Sequence, residues 1–423
     1  MRMTRWMPRA AAVLFAGALL AGCASSDGDD PKARSGGDDA PAVDTTALDT
    51  GSYPTTPMPE FERATTLNIT EVEGQRLAEF TVVPFEIDPA LTTFKMPTMV
   101  MRTGYNLGAF LNEAAGDIAV NQNMLYGYVT SASTNTPMAT DESKGVVHAV
   151  MRFPRAEFAE AAAREIHTNL TTVEDEYTGG IETAETIDIL PNTLVSTSEN
   201  PNAPAGPEAV ANALTAHGDY LIYTYARAPI AEKDWTAKAI AKALDLQGPL
   251  VDQFPAQPTK EQNGGVSAEY PMVDQDKILI YAIPEEDAQA QLGDDMAVYG
   301  PRGMAHKSTN PPMTYRVLTE TGADHTAVAR TTVYRAKDDA GAETIMDEFG
   351  SDLTSQGYST APSPQGLPNA ACYTKDTIQG TMDYCYVANG RYVGEAGALD
   401  GKQDVDQRIS AQYLILEKAD QNV

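Results

Sequence analysis

The first residues in this chain whose types could do chemistry are the Asp-Thr-Gly-Ser run at residues 49–52. Aspartic proteases use such a loop, but they need a second carboxylate with which the first shares a proton. No second DTG or DSG occurs here, and the residues before Asp49 do not form an apolar strand pattern. The sequence therefore predicts an extended segment, stiffened by Pro54 and Pro57, rather than a catalytic loop.

Other catalytic patterns are missing from the sequence as well. It contains no G-x-S-x-G nucleophile elbow, no HExxH pair, and no Walker A or dinucleotide fingerprint. The histidines are scattered without metal-ligand spacing, and His217, which precedes a Gly-Asp pair, is predicted to be a turn residue. We therefore predict no catalytic residues, no metal and no cofactor.

The N-terminus combines a basic stretch, an apolar stretch and a cysteine. Arg2, Arg5 and Arg9 precede an apolar run at residues 10–20, and Leu-Ala-Gly-Cys ends at Cys23. This order is typical of a secretory signal whose apolar part is too short to span a bilayer. The arrangement is similar to the bacterial lipobox. That resemblance implies cleavage after residue 22 and attachment of a diacylglyceryl group to the Cys23 thiol.

A lipid at Cys23 would determine where the protein resides. Each buried methylene contributes about 0.8 kcal/mol, so two or three acyl chains anchor a protein stably. We expect residues 1–22 to be a signal peptide and the mature protein to sit on the extracytoplasmic face of the cell membrane. Two partners are therefore expected: the membrane, which the protein binds through its lipid, and an unidentified ligand or protein of the cell envelope.

The remaining cysteines, Cys372 and Cys385, are predicted to form a structural disulfide, because an oxidising compartment favours pairing. A redox pair would need the C-x-x-C spacing, which is absent. The residues between them predict two strands joined by a turn at Gln379-Gly380.

Charge excludes one class of function. The formal net charge of the 423-residue chain is −29, and such a surface repels nucleic acid. Residues 24–60 have few large apolar side chains and are rich in Asp, Ser, Gly, Thr and Pro. With Cys23, they are predicted to form a disordered acidic tether, because they bury too little surface to order.

Two further segments carry a family resemblance. LDTGSYPTTP at residues 48–57 and EVEGQRLAEFTVVPFEIDP at residues 71–89 resemble a family of uncharacterised cell-envelope lipoproteins from mycolic-acid-bearing actinobacteria. In that family an LDTG-x-YPT segment follows the lipobox tether. The resemblance implies an envelope location, and it assigns no catalytic residue.

The chain contains three pairs of similar segments, at offsets of 178, 182 and 172 residues. GDIAV at residue 116 resembles DDMAV at 294, the run starting at His148 resembles that starting at Arg330, and HGDYLIYTYA at 217 resembles NGRYVGEAGA at 389. Together they indicate an internal duplication. Two unrelated domains with similar strand–helix pieces are the alternative.

Apolar periodicity places two helices in each unit. Their stripes are Phe158, Ala162 and Ile166; Trp235, Ala239 and Ala243, with a stop at Gly248-Pro249; Ile345, Phe349 and Leu353; and Val405, Ile409 and Tyr413. We predict an α+β fold of two similar units, each a mainly antiparallel sheet with helices packed on one face. The units are residues 61–252 and 267–423, joined by a linker at 253–266.

Tyrosines are concentrated in the last hairpin of each unit. They could bind a ligand by stacking, or they could simply cover half-buried sheet. The binding candidates are Tyr220, Tyr223, Tyr225, Tyr386 and Tyr392. The function predicted from these observations is a non-catalytic, membrane-anchored protein that binds a ligand or partner in the envelope. An envelope hydrolase or transferase with a site assembled from distant residues is the alternative, and a purely structural or surface-exposed antigenic protein is a third.

Overall fold

The computed structural model describes residues 42–134, 143–174, 180–203, 206–285 and 296–422. The predicted signal peptide, Cys23 and the tether up to residue 41 lie outside the described residues.

The described residues up to Val251 form six α-helices and eight strands. In chain order they are α1 (Ile69–Ala78), α2 (Pro84–Ile87), β1 (Leu91–Phe94), β2 (Met99–Met101), α3 (Tyr105–Gly108), α4 (Glu113–Asn121), β3 (Tyr126–Thr134), β4 (Gly145–Arg152), α5 (Ala156–Thr172), β5 (Thr183–Glu185), β6 (Leu194–Asn200), β7 (Glu208–His217), β8 (Tyr220–Pro229) and α6 (Asp234–Val251).

The second unit begins with two short 3-10 turns, Gln275–Lys277 and Leu279–Tyr281. Its elements are β9 (Ala297–Tyr299), α7 (Pro301–Lys307), α8 (Pro311–Glu320), β10 (Thr326–Val328), β11 (Thr332–Arg335), α9 (Asp339–Ser355), β12 (Ser359–Ala361), β13 (Ala371–Thr377), β14 (Gly380–Asn389), β15 (Tyr392–Leu399) and α10 (Lys402–Leu416).

Both units are antiparallel sheets with the same strand order. The first sheet runs β5-β6-β7-β8-β4-β3-β1, with β2 also paired to β3, and the second runs β12-β13-β14-β15-β11-β10-β9. Each strand of the first order therefore has an equivalent at the same position of the second order: β8 corresponds to β15, for example, and β4 to β11. The predicted α+β class with two similar units is therefore confirmed.

The helices lie on both faces of each sheet, which differs from the expectation of one covered face. In β8, Leu221 and Tyr223 pack with α5, whereas Ala226 packs with α6. In β14, Tyr386 packs with α9, whereas Cys385 packs with α10. Successive side chains point to opposite faces of a strand. These central strands carry apolar side chains on both faces, so helices must pack on both faces of the sheet to bury them.

Two of the three repeat pairs fall in equivalent elements of the structure. The run from His148 covers the end of β4 and then α5, and the run from Arg330 covers β11 and then α9. The β7–β8 and β14–β15 hairpins turn at Gly218 and Gly390, both with positive φ, and their closing pairs are His217 with Tyr220 and Asn389 with Tyr392. A two-residue hairpin turn needs such φ values, which glycine adopts without strain.

The pairing of GDIAV with DDMAV is wrong. Residues 116–120 lie in α4, whereas the described part of the second segment enters β9. Both segments are short apolar runs, and periodicity cannot separate helix from strand over so few residues.

The two units share a core at α1. Leu77 and Ala78 of α1 belong to one buried cluster with Tyr128 of the first sheet and Tyr299 of the second unit. His306 on α7 is buried there: its Nδ1 lies 3.0 Å from the Thr130 hydroxyl, and its Nε2 donates to the carbonyl of Ala78 at 3.1 Å.

Residues 42–60 are ordered against the second unit, so the prediction that the tether extends to residue 60 is wrong. Tyr53 donates a hydrogen bond to Asp404 on α10, and the Met58 amide donates to the carbonyl of Ile280 at 2.8 Å. The side chains of Tyr53 and Met58 pack on a buried cluster. A few anchoring side chains and backbone bonds therefore suffice to order a segment of low average hydropathy. We call residues 42–60 the strap.

Helix α6 continues past the predicted stop at Gly248-Pro249 and ends at Val251. Val251 is buried in the core shared by the two units, with Phe254 nearby. Burial of these side chains favours the extra turn, and a proline near a helix end forfeits few hydrogen bonds.

The predicted disulfide is present. Cys372 and Cys385 face each other across β13 and β14, with Cα atoms 4.1 Å apart. Within the described residues, no helix is both long and apolar enough to cross a membrane.

Candidate functional site

A cavity of about 280 Å³ lies over one face of the second sheet. Helices α7, α8 and α9 close one side, and strands β10, β11, β14 and β15 close the other. It is lined by Met304, Lys307, Ser308, Thr309, Met313, Thr314, Val328, Thr332, Tyr334, Phe349, Asp352, Leu353, Tyr384, Tyr386 and Glu395. We call it the tyrosine cavity.

Aromatic rings form much of its wall. The rings of Tyr334 and Phe349 are 5.3 Å apart between centroids and meet edge to face at 75°. The Phe349 ring lies 6.2 Å from that of Tyr386. Edge-to-face and tilted pairs are favourable arrangements of aromatic quadrupoles. The rings therefore brace one another while presenting surfaces of different orientation to the cavity.

A glycine makes room for the fourth ring. Gly397 pairs with Tyr384 across β14 and β15, and a Cβ atom at position 397 would lie 2.4 Å from Cε1 of the Tyr384 ring. Any other residue at 397 would displace that ring, so this glycine lets Tyr384 lie across β15 beside the cavity.

Glu395 is the one glutamate among the described lining residues. It is half-buried, and Tyr334 donates a hydrogen bond from its Oη to Oε2 of Glu395 at 2.6 Å. Burial raises the pKa of Glu395, and the hydrogen bond from Tyr334 opposes that rise. Burial also raises the pKa of Tyr384 to about 12 and that of Tyr386 well above its usual value, so both phenols remain neutral at physiological pH.

The equivalent place in the first unit is filled. Glu395 pairs with Tyr386 and with Thr332, whereas its counterpart Tyr223 pairs with Leu214 and with Ala149. Leu214, Ala149 and Tyr223 are all buried in one apolar cluster beneath α5. The same topology thus encloses a closed core in one unit and a cavity with a carboxyl group in the other.

Two further lining residues, Lys307 and Asp352, have ionisable side chains. Lys307 places its Nζ 5.5 Å from the ring centroid of Tyr299, which does not line the cavity. Asp352 accepts hydrogen bonds from Asn310 at 2.6 Å and from Gln356 at 2.7 Å. Each of these two charges therefore has a contact within the protein.

The structure separates the five tyrosines predicted to bind. Tyr386 lines the cavity, together with Tyr384. Tyr223 is fully buried and donates to Asn212 at 2.7 Å, and Tyr392 is buried with its hydroxyl on the carbonyl of Asp420.

The other two tyrosines lie in β8, a central strand of the first sheet. Tyr220 lies beside Arg152, whose guanidinium is 5.7 Å from the ring centroid. Tyr225 packs at the edge of the α5 cluster, and burial raises its pKa to about 12. Neither lines the tyrosine cavity.

The histidines have structural partners. His148 contacts Thr224 and Gln247, both at 2.9 Å, and His217 contacts Asp252 at 2.7 Å. His306, described above, holds the shared core. None of these three histidines contacts a serine, so none of them forms the serine–histidine pair that activates a serine nucleophile.

One group of atoms resembles a metal site. Cys372, Cys385 and Asp406 place potential ligand atoms within 4.8 Å of one another. Because the two sulfurs are bonded to each other, they offer no thiolate, and the group does not fit a metal.

Three other cavities differ in chemistry. Those of about 440 and 470 Å³ have no aromatic side chain among their described lining residues. A cavity of about 260 Å³ at residues 257–260 contains Glu73. That carboxylate already has Arg76, the Tyr126 hydroxyl and the Gln257 amide as partners. The tyrosine cavity combines aromatic walls with a carboxyl group that lacks such compensation.

The sequence interpretation did not identify Glu395, Tyr334 or Phe349 as site residues. They come from three elements that only the fold brings together. One signal was available: Glu395 is a lone acid among small residues in a strand, at the repeat position where the first unit has Tyr223.

These features define a duplicated α+β protein with one closed and one open unit. Two family models match the sequence: "Domain of unknown function (DUF7373) N-terminal" over residues 61–264, and "Domain of unknown function (DUF7373) C-terminal" over residues 272–419. The chain belongs to the DUF7373 family.

No curated protein matches the sequence. Among solved structures, the extracellular domain of PknH from Mycobacterium tuberculosis is 11% identical with a TM-score of 0.30, covering 46% of this chain and 100% of that one. DynU16, from the dynemicin biosynthetic locus, is 10% identical with a TM-score of 0.11, covering 69% and 96%. At these scores neither likeness bears on fold or function.

Proposed function

We propose that this protein is a lipid-anchored, extracytoplasmic binding protein whose ligand occupies the tyrosine cavity. The observation that carries the proposal is the contrast between units: the position filled by Tyr223 in the first is a cavity beside Glu395 in the second. Concave sites with aromatic walls and few polar groups are typical of small-molecule binding.

Binding rather than catalysis is the role that the lining chemistry favours. None of the described lining residues is a histidine or a cysteine. The two lining acids, Glu395 and Asp352, are hydrogen bonded to Tyr334, Asn310 and Gln356, and these neutral groups do not activate a nucleophile.

The location rests on the N-terminal sequence. The order of basic run, apolar run and Leu-Ala-Gly-Cys supports lipidation at Cys23 in an actinobacterial envelope lipoprotein. The disulfide supports an oxidising compartment, since such bonds persist outside the cytosol. We propose the same division as the sequence suggested, with residues 1–22 removed, and with units at 61–252 and 267–423.

Fractionation tests the anchor. Wild-type protein expressed in its own cells is expected in the membrane fraction, whereas Cys23→Ala is expected in the medium or the soluble envelope fraction. A Cys372→Ala/Cys385→Ala variant is the control, since it alters other cysteines and keeps the anchor. Membrane retention of Cys23→Ala would refute lipid anchoring.

Ligand content tests the cavity. Mature protein purified from its own cells is extracted with solvent and the extract analysed by mass spectrometry. Val328→Phe places a ring in the cavity, and Val173→Phe makes the same change at an exposed position. We expect a small molecule in extracts of wild type and Val173→Phe that is lost from folded Val328→Phe. Identical extracts from all three would contradict the proposal.

A further inference from the structure

We infer that the tyrosine cavity binds a small organic cation, a protonated or quaternary amine, held between aromatic rings and the Glu395 carboxylate. This inference rests on the proposed function, because it names the chemical class of the ligand in the same cavity.

The first argument is charge. A carboxylate removed from water is costly unless a positive group or several donors compensate it. Glu395 receives a hydrogen bond from the neutral Tyr334, and no basic side chain is among the groups that favour its ionised form. An ammonium group in the cavity would supply the missing countercharge.

The second argument is the aromatic wall. Tyr334, Phe349, Tyr384 and Tyr386 all line the cavity. The ring of Phe349 contacts those of Tyr334 and Tyr386 at centroid distances of 5.3 and 6.2 Å, and the ring of Tyr384 is held 5.8 Å from that of Tyr358, behind the lining. Ring faces attract cations through their quadrupole, and groups of tilted rings are how proteins recognise quaternary ammonium. Here the four rings and Glu395 line the same cavity.

The balance of charge argues against an anion. Lys307 is the one basic residue among the described lining residues, and its ammonium is directed to Tyr299, outside the lining. Two acids, Glu395 and Asp352, oppose it. The net charge of −29 also concentrates cations around the protein and repels anions.

The test is a calorimetric titration of the mature, disulfide-bonded protein with choline chloride and with 3,3-dimethylbutan-1-ol. The second probe replaces the charged nitrogen by carbon and keeps the shape. We expect choline to bind at least about tenfold more tightly than the neutral alcohol. Glu395→Gln should lower that preference severalfold and leave only the part due to the rings, whereas Glu343→Gln, the same change at an exposed site on α9, should keep it in full.

The outcomes separate the two proposals. Equal binding of both probes, lost in Val328→Phe, would overturn the cation inference and leave the cavity as the ligand site. Absence of choline binding to wild type would likewise overturn it, while a small molecule lost from Val328→Phe extracts would still support the cavity. A choline preference that is undiminished in Glu395→Gln would contradict the role of this carboxylate.

Discussion

Glu395 and Tyr223 occupy the same position in two copies of one hairpin: each lies three residues after the tyrosine that closes the turn, Tyr392 or Tyr220. In the first copy the phenol fills the space beneath a helix and bonds to Asn212. In the second, a shorter carboxyl side chain leaves a cavity. The difference between the closed and the open unit therefore centres on this one position, where Tyr223 pairs with Leu214 in the first unit and Glu395 pairs with Tyr386 in the second.

Replacing Glu395 by Gln is expected to stabilise the protein by about 1 kcal/mol at pH 8. Burial raises the pKa of this carboxyl above its value in the unfolded chain. The folded state therefore disfavours the ionised form, and the resulting loss of stability is present at pH values above the folded pKa and disappears below the unfolded one.

Urea unfolding at pH 8 and at pH 4 measures this effect. The gain of Glu395→Gln should be large at pH 8 and small at pH 4. Tyr223→Phe is the comparison at the equivalent position, because it leaves the buried Asn212 without its donor and should cost about 1 to 3 kcal/mol at both pH values. A stabilisation of Glu395→Gln that is equal at both pH values would contradict the account of this carboxyl.

The disulfide should contribute about 3 kcal/mol, since it closes a loop with a sequence separation of 13 residues. Cys372→Ala/Cys385→Ala should lower the free energy of unfolding by at least that amount, measured by chemical denaturation. Reductant should destabilise the wild type and leave the double variant unchanged. Equal stability of oxidised and reduced wild type would argue against a structural role.

His306 should make stability fall in mild acid. Burial lowers its pKa from 6.5 to about 3, so between these values the unfolded chain binds a proton that the folded one does not. The loss begins as pH falls through 6.5 and amounts to roughly 2 kcal/mol at pH 5.

Variants isolate that contribution from other titrating groups. Burial raises the pKa of Glu79, in the same region, to about 7, which acts in the opposite direction over this range. The difference in unfolding free energy between pH 7 and pH 5 should therefore shift by about 2 kcal/mol in His306→Gln relative to wild type. A His306→Gln variant whose unfolding free energy depends on pH in the same way as that of wild type would contradict this account of His306.

The strap should loosen when its bond to α10 is removed. Tyr53→Phe loses the hydrogen bond to Asp404 and is expected to cost about 1 kcal/mol of local stability. Hydrogen exchange of the Met58 amide, which donates to Ile280, should then accelerate several-fold. Tyr105→Phe, at an exposed position, is the matched control. Unchanged exchange in Tyr53→Phe would show that this bond does not hold the strap.

The sequence was most informative where a pattern is local and long. The stripe of Phe158, Ala162 and Ile166 lies in α5, and that of Val405, Ile409 and Tyr413 lies in α10. A run of 15 or 17 residues repeats its apolar period several times, so chance matches are few. The disulfide was equally predictable, because the lipobox pattern accounts for Cys23 and leaves Cys372 and Cys385 as the two cysteines that can pair.

Features that depend on tertiary contacts were not predictable. The strap is ordered by Tyr53 and Met58, which find their partners in α10 and at Ile280, far along the chain. Helix α6 passes Pro249 because Val251 reaches a core that both units build. The cavity requires side chains from four strands and three helices, and of the five predicted tyrosines Tyr386 is the one that lines it.

The most direct test of the central claim is a high-resolution crystal structure of mature protein purified from its own cells. The account predicts non-protein density in the tyrosine cavity, with a nitrogen-bearing group near Glu395 and against the ring of Tyr386. It predicts no such density beside Tyr223 in the first unit. Ordered water alone in the tyrosine cavity, with a ligand bound elsewhere on the protein, would contradict it.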